Sequence, residues 1–173
     1  MPGIARPWEE AAGDGLARRQ VFFRMSLVLD IGTPVLDRLA LLVRIGAGGR
    51  ISTGKQWVSW IHVRDMLRAL LFVLERDIDG ILNVTSPEPV RNETLMRELR
   101  RHLRRPWSPP VPAPLVNVGA WLMGTDPALA LTGRRCIPHR LLEEGFTFTC
   151  PRLGDALGDL FGAAPPGLGA RSR

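Results

Sequence analysis

Between Trp57 and Leu74 the spacing of apolar residues changes period, and the rest of the chain is arranged around that change. Trp57, Val58, Trp60, Ile61 and Val63, with Ser59 and His62 between them, predict a short strand. With no Gly or Pro break the chain passes into a segment carrying Met66, Leu67, Leu70, Leu71, Val73 and Leu74, which predicts a helix. Apolar residues occupy most of the circumference of that helix, so it is expected to be buried on several sides. Asp65 falls in its first turn, where a carboxylate suits the helix dipole. Gly80 to Val84 reads as the next strand. Strand, helix, strand is the unit of a parallel α/β sheet.

The flanking segments extend this pattern. Trp8 to Ala12 has helical propensity. Val21 to Leu29 reads as one strand, apolar on both sides apart from Arg24 and Ser26, with Met25 as an ordinary core residue. After a turn at Asp30-Ile31-Gly32, Pro34 opens a helix with Leu36, Leu39, Ala40 and Val43 inward, and Gly46 to Gly49 is a loop. Asn92 is the expected N-cap of a helix reaching about Arg104. The prolines of Trp107 to Pro114 force an extended segment, which marks the boundary before the tail. Short helices are expected at Leu115 to Met123, Pro127 to Leu131 and Ile137 to Glu144, the last ended by Gly145. A strand at Phe146 to Thr149, a helix from Arg152 to Phe161 and a disordered tail complete the reading.

Several of these residues together resemble a family. Ser59-Trp60-Ile61-His62-Val63 with Asp65, then Gly80-Ile81-Leu82-Asn83 and Pro87-Glu88-Pro89-Val90, look like the second half of an extended short-chain dehydrogenase/reductase. Arg135-Cys136-Ile137-Pro138 and Leu141 to Phe148 resemble the C-terminal domain of unknown function in YfcH-type epimerase-like proteins, of the NAD-dependent epimerase/dehydratase superfamily. The likeness runs from Trp8 to about Leu160. It implies an α/β fold: a truncated Rossmann-like sheet with its last parallel strands and helices, plus a small α-rich C-terminal domain. The expected division is 1–106 for the Rossmann-like remnant lacking its dinucleotide-binding half, 107–161 for the C-terminal domain and 162–173 for the tail.

The chemistry the family uses is not found in these residues. Dinucleotide binding needs a glycine-rich turn between strand and helix, so that backbone amides reach the pyrophosphate. Gly13-Asp14-Gly15 and Gly46 to Gly49 both stand in the wrong context and read as loops. The resemblance implies tyrosine acid/base catalysis, and the sequence has no tyrosine. Where sugar-nucleotide relatives place a phosphate-holding arginine, this chain has Val58. Ser26 and Asp30 stand where the resembled proteins are glycine-rich, and would crowd a nicotinamide ring. No catalytic residue and no metal ligand set is assigned, since His62, His102, His139 and the cysteines lack ligand spacing. Arg24 and Leu27 are the candidates for cofactor contact, Trp57 and His62 for substrate contact. His62 is read first as a core or supporting hydrogen-bonding residue, paired with Asp65 three positions on.

Composition changes this picture little. A net charge of +6 and a pI near 11.0 raise the question of nucleic acid. Arg97, Arg100, Arg101, Arg104 and Arg105, however, lie opposite Leu95, Met96, Leu99 and Leu103 and read as a solvated helix face. No membrane span is expected, and Cys136 and Cys150 read as free thiols of a cytoplasmic protein. No cofactor is expected for the chain alone, against NADP(H) in the resembled family. The expectation is a truncated epimerase/dehydratase-like protein without catalytic activity by itself, a fragment or a non-catalytic binding module, or else the C-terminal half of a split NAD(P)-dependent epimerase/oxidoreductase completed by a nucleotide-binding chain. An unprotected apolar edge at Val21 to Leu29 makes a homo-oligomer or such a complementary chain the expected partner.

Overall fold

The structure is a computed structural model, described here for residues 19–105, 107–112 and 133–162. The expected helices at Trp8 to Ala12, Leu115 to Met123 and Pro127 to Leu131, and the tail beyond 162, lie outside the described residues.

The predicted strand Val21 to Leu29 is two strands. β1 (Val21–Met25) pairs in parallel with β5 (Gly80–Val84), from Val21 opposite Gly80 to Met25 opposite Val84. β2 (Leu27–Leu29) pairs in parallel with β4 (Trp60–His62). Ser26 makes the switch: its N–H and its hydroxyl both donate to the Val84 carbonyl, after which Leu27 N–H donates to Ser59. One extended segment thus feeds two partners in succession. β4 and β5 are joined through α2 (Val63–Leu74) yet belong to different pairs. β3 (Trp57–Val58) and β6 (Val90–Arg91) form a short antiparallel pair.

Pro34 occupies the first turn of α1 (Pro34–Arg44), which buries Leu36, Ala40 and Val43 as the spacing predicts. α3 (Asn92–His102) starts at Asn92 itself, with Arg91 as the residue before it. Asn92 is therefore not the cap: its Oδ1 accepts from Ile51 N–H at 2.8 Å and ties a distant loop to the helix start. Two short helices follow, α4 (His139–Glu143) and α5 (Leu153–Gly162). Gly145 ends α4 at φ 82°, a conformation costly for any residue with a Cβ. Phe146 to Thr149 has no strand partner among the described residues; its polar groups are used differently, as shown below.

Adjacent residues of β4 point into two cores. Trp60 joins Leu29, Leu36, Leu95, Leu99 and Leu157, bringing α1, α3 and α5 together. Ile61 joins Ala69, Val73, Leu82, Leu141 and Phe146 on the other side. The expectation that α2 is buried on several sides is not met. Ala69 and Val73 are covered, while Leu67, Leu70, Leu71 and Leu74 are 50, 39, 56 and 62 % exposed. These four lie at helical spacing and form a single apolar row facing outward. Met25, expected in the core, is half exposed as well.

Candidate functional site

Polar side chains converge where β4 passes into α2, and nearly all of them reach towards the C-terminal residues. His62 is the last residue of β4 and caps α2: its Nδ1 accepts from Arg64 N–H at 3.0 Å. Accepting at Nδ1 places the proton of neutral His62 on Nε2. Nε2 lies 3.2 Å from Oδ2 of Asp159 on α5, a close approach not aligned as a hydrogen bond. The same carboxylate receives Arg64 through both oxygens, at 3.0 and 3.2 Å.

Asp65 is fully buried and sits at the centre. Thr149 N–H donates to its Oδ1 and Cys150 N–H to its Oδ2, both at 2.8 Å, and Arg68 adds a third bond at 3.0 Å. Arg68 reaches further, to the Thr147 carbonyl at 2.9 Å. The Phe146 to Thr149 segment thus docks its backbone on an aspartate where a strand pairing was expected. His62 and Asp65 do not bond to each other: Asp65 fastens Thr149 and Cys150 to the start of α2, while His62 caps the helix beside Arg64, which holds Asp159. Ser59 and Ser86 do the same for other parts. Ser59 Oγ bridges the Arg134 carbonyl and Cys136 N–H, and Ser86 Oγ donates to the Pro151 carbonyl at 2.9 Å.

Burial raises the pKa of the Cys150 thiol above its ordinary value, and the nearby carboxylates of Asp65 and Asp159 push the same way. A thiol held protonated is a poor nucleophile. Cys136 and Cys150 are both free. No group of three or more metal-ligating side chains occurs among the described residues. The junction is a fastening, with no nucleophile and base in contact.

The candidates for ligand contact are scattered. Arg24 stands in β1 opposite Asn83, and Leu27 opens β2 opposite Trp60, packed against the Trp60 core. Trp57 is half-buried: Arg91 stacks 3.7 Å from its ring, Arg135 lies 5.1 Å away, and Gly133 passes too close for a Cβ. Its accessible faces are therefore occupied by the chain's own residues. Gly48 and Gly49 serve in the same way, pressed against Val43 and the Pro109 carbonyl. Those glycines allow close approach of the chain to itself. Sequence reasoning missed Asp159 and Arg68, whose partners are far away along the chain. The only local sign for Asp65 was an acid within an apolar helix.

Comparison with known proteins agrees with this architecture. Residues 111–160 match the domain of unknown function DUF1731. The chain is 35% identical over 158 residues to the epimerase family protein SDR39U1 of Bos taurus, covering 89% of this chain and 53% of that protein. It is 30% identical over 163 residues to the epimerase family protein SERP0438 of Staphylococcus epidermidis, covering 92% and 54%. The crystal structure of human SDR39U1 (isoform2) with NADPH superimposes with a TM-score of 0.83 at 30% identity, over 94% of this chain and 55% of that one. The chain thus spans about half the length of the relatives it matches. No described helix is long and apolar enough to cross a membrane. The fold is α/β and epimerase-like, and the chain is similar over about nine tenths of its length to epimerase family proteins, with a match to DUF1731 over residues 111–160.

Proposed function

We propose that these 173 residues form the outer sheet edge and DUF1731 part of an epimerase-like oxidoreductase and carry no catalysis or dinucleotide binding by themselves. The observation that carries this reading is the unfinished state of the sheet. Among the described residues β1 pairs only with β5, and the leucine row of α2 faces outward. In a parallel sheet both faces and both neighbours of such a strand are normally covered. The missing tyrosine and the self-packed glycines Gly48 and Gly49 support the same conclusion.

The exposed leucines favour a second, more active reading: a nucleotide-binding half supplied by other residues completes the fold and restores NADP(H) chemistry. The relatives have roughly as much chain again as is spanned here, and one of them is known with NADPH. Calorimetric titration with NADPH tests both readings, first on this chain, then on this chain with the non-overlapping half of the bovine relative added. No binding in either case supports a non-catalytic module. Binding only in the mixture supports completion by a partner. Low-micromolar binding to the chain alone overturns the first proposal.

A further inference from the structure

A cleft of about 240 Å³ opens away from the β4–α2 junction, between α3, the loop at Arg50 and the extended segment from Trp107. Arg50, Arg97 and Arg100 line it, together with Glu93, Trp107 and Ser108. Their guanidinium groups are tied only to neutral acceptors. Arg50 donates to the Thr53 carbonyl at 3.5 Å, Arg97 to Thr94 Oγ1 at 3.3 Å and Arg100 to the Gly48 carbonyl at 2.7 Å. None of the three has a carboxylate partner among the described residues, in contrast to Arg101, which pairs with Glu98 on the same helix. Three guanidinium groups against the single carboxylate of Glu93 in the same lining leave a net positive potential that favours an anion.

Two further features point to a ligand. Ser108 is 7 % exposed, and its Oγ has no hydrogen-bond partner; neither has the buried Nε of Arg100. Unpaired buried donors are uncommon and costly, and both of these groups can donate to an anion. Trp107, by contrast, is 74 % exposed, a large indole left in water at the rim of the same cleft. Guanidinium groups bind phosphate oxygens in a planar fork, and an indole face stacks a flat ring.

The geometry points to a binding site for a small aromatic phosphomonoester, its phosphate held by Arg97, Arg100 and Arg50 and its ring laid on Trp107. The cleft is smaller than the roughly 300–1,000 Å³ of drug-sized sites, which limits the ligand to little more than one ring and its phosphate. Glu93 in the lining disfavours a second phosphate and a continuous nucleic-acid backbone. This site is independent of the NADP(H) reading and needs no other chain.

Phenyl phosphate is the probe, titrated into the full chain while tryptophan fluorescence is followed, with phenol and inorganic phosphate as partial ligands. Saturable quenching is expected with phenyl phosphate, absent with phenol, competed by inorganic phosphate and lost in Trp107→Phe. The exposed Arg97→Gln should weaken binding about ten-fold, the loss of one charge-assisted phosphate contact. Arg100→Gln should do the same with an unchanged thermal midpoint after correction for its lost bond to Gly48. No saturation in the millimolar range overturns the proposal, as does undiminished binding in Arg97→Gln. A single-stranded oligonucleotide that binds more tightly than phenyl phosphate, with a steep salt dependence, overturns it in favour of nucleic acid.

Discussion

Asp65→Ala is the substitution that most directly tests how the C-terminal residues are held. The carboxylate is fully buried and accepts the backbone N–H groups of Thr149 and Cys150 at 2.8 Å each. Removing it leaves both amides without an acceptor, and Cys150 is itself buried. A hydrogen bond to a charged group contributes about 1.5–3 kcal/mol, and an orphaned buried donor costs about 1–3 kcal/mol. The Arg68 contact adds less, because that side chain is 42 % exposed and its charge is screened by water. The expected loss for Asp65→Ala is about 3–5 kcal/mol, the range found when one partner of a buried pair is removed. Small domains have only about 5–15 kcal/mol in hand. Asp65→Asn retains one carbonyl acceptor and turns an NH₂ group towards the other amide, so it should lose about 2–3 kcal/mol. Urea unfolding measures both variants, and limited proteolysis shows whether cleavage first appears between Phe146 and Pro151. A loss below about 1 kcal/mol for Asp65→Ala would refute the argument that this carboxylate holds the segment in place.

Trp60→Ala, which empties the centre of the larger core, should cost about 3–5 kcal/mol in urea unfolding. Trp57→Ala should cost less than half as much, and equal effects would misplace the core. At pH 8 a thiol reagent should modify Cys136 and spare Cys150 until the chain unfolds; equal rates would count against the burial of Cys150. The raised thiol pKa of Cys150 means that its contribution to stability is present below the ordinary value of 9.0 and is lost as pH rises through the higher folded value. Size exclusion with light scattering should show self-association of the isolated chain, relieved by Leu71→Lys with Leu74→Lys. A clean wild-type monomer would show that the leucine row needs no cover.

Local periodicity was enough to read most of the elements. Pro34 with Leu36, Ala40 and Val43 marked α1, and Leu153, Leu157 and Leu160 marked α5, because each helix buries one regularly spaced face. Gly145 marked the end of α4 for a steric reason that any sequence shows. Ser26 was visible as the polar break in an apolar run, yet a partner switch is a property of three strands together and leaves no local period. α2 misled for the opposite reason: apolar residues all round imply cover, and the cover is not among the described residues. The role of Asp65 was illegible because its acceptor geometry is completed by Thr149 and Cys150, more than eighty positions away. His62 and Asp65 share a helix start, but His62 bonds locally to Arg64 while Asp65 is bonded to a distant segment, and their spacing carries no trace of that.

The buried Asp65 also sets an order of events during synthesis. Its backbone partners follow it by 84 and 85 residues. At about 5–20 residues per second, the carboxylate waits roughly 4–17 seconds before those amides have been made. Until then a desolvated aspartate at this position would have only the half-exposed Arg68 as its partner, so the start of α2 is expected to stay open to water while the strands around it are already available. The sheet-bearing residues are therefore expected to close fully only late, and the last fifth of the chain completes what the middle began. A nascent chain arrested shortly before Thr149 should remain protease-sensitive at the β4–α2 junction, and extension past Cys150 should protect it.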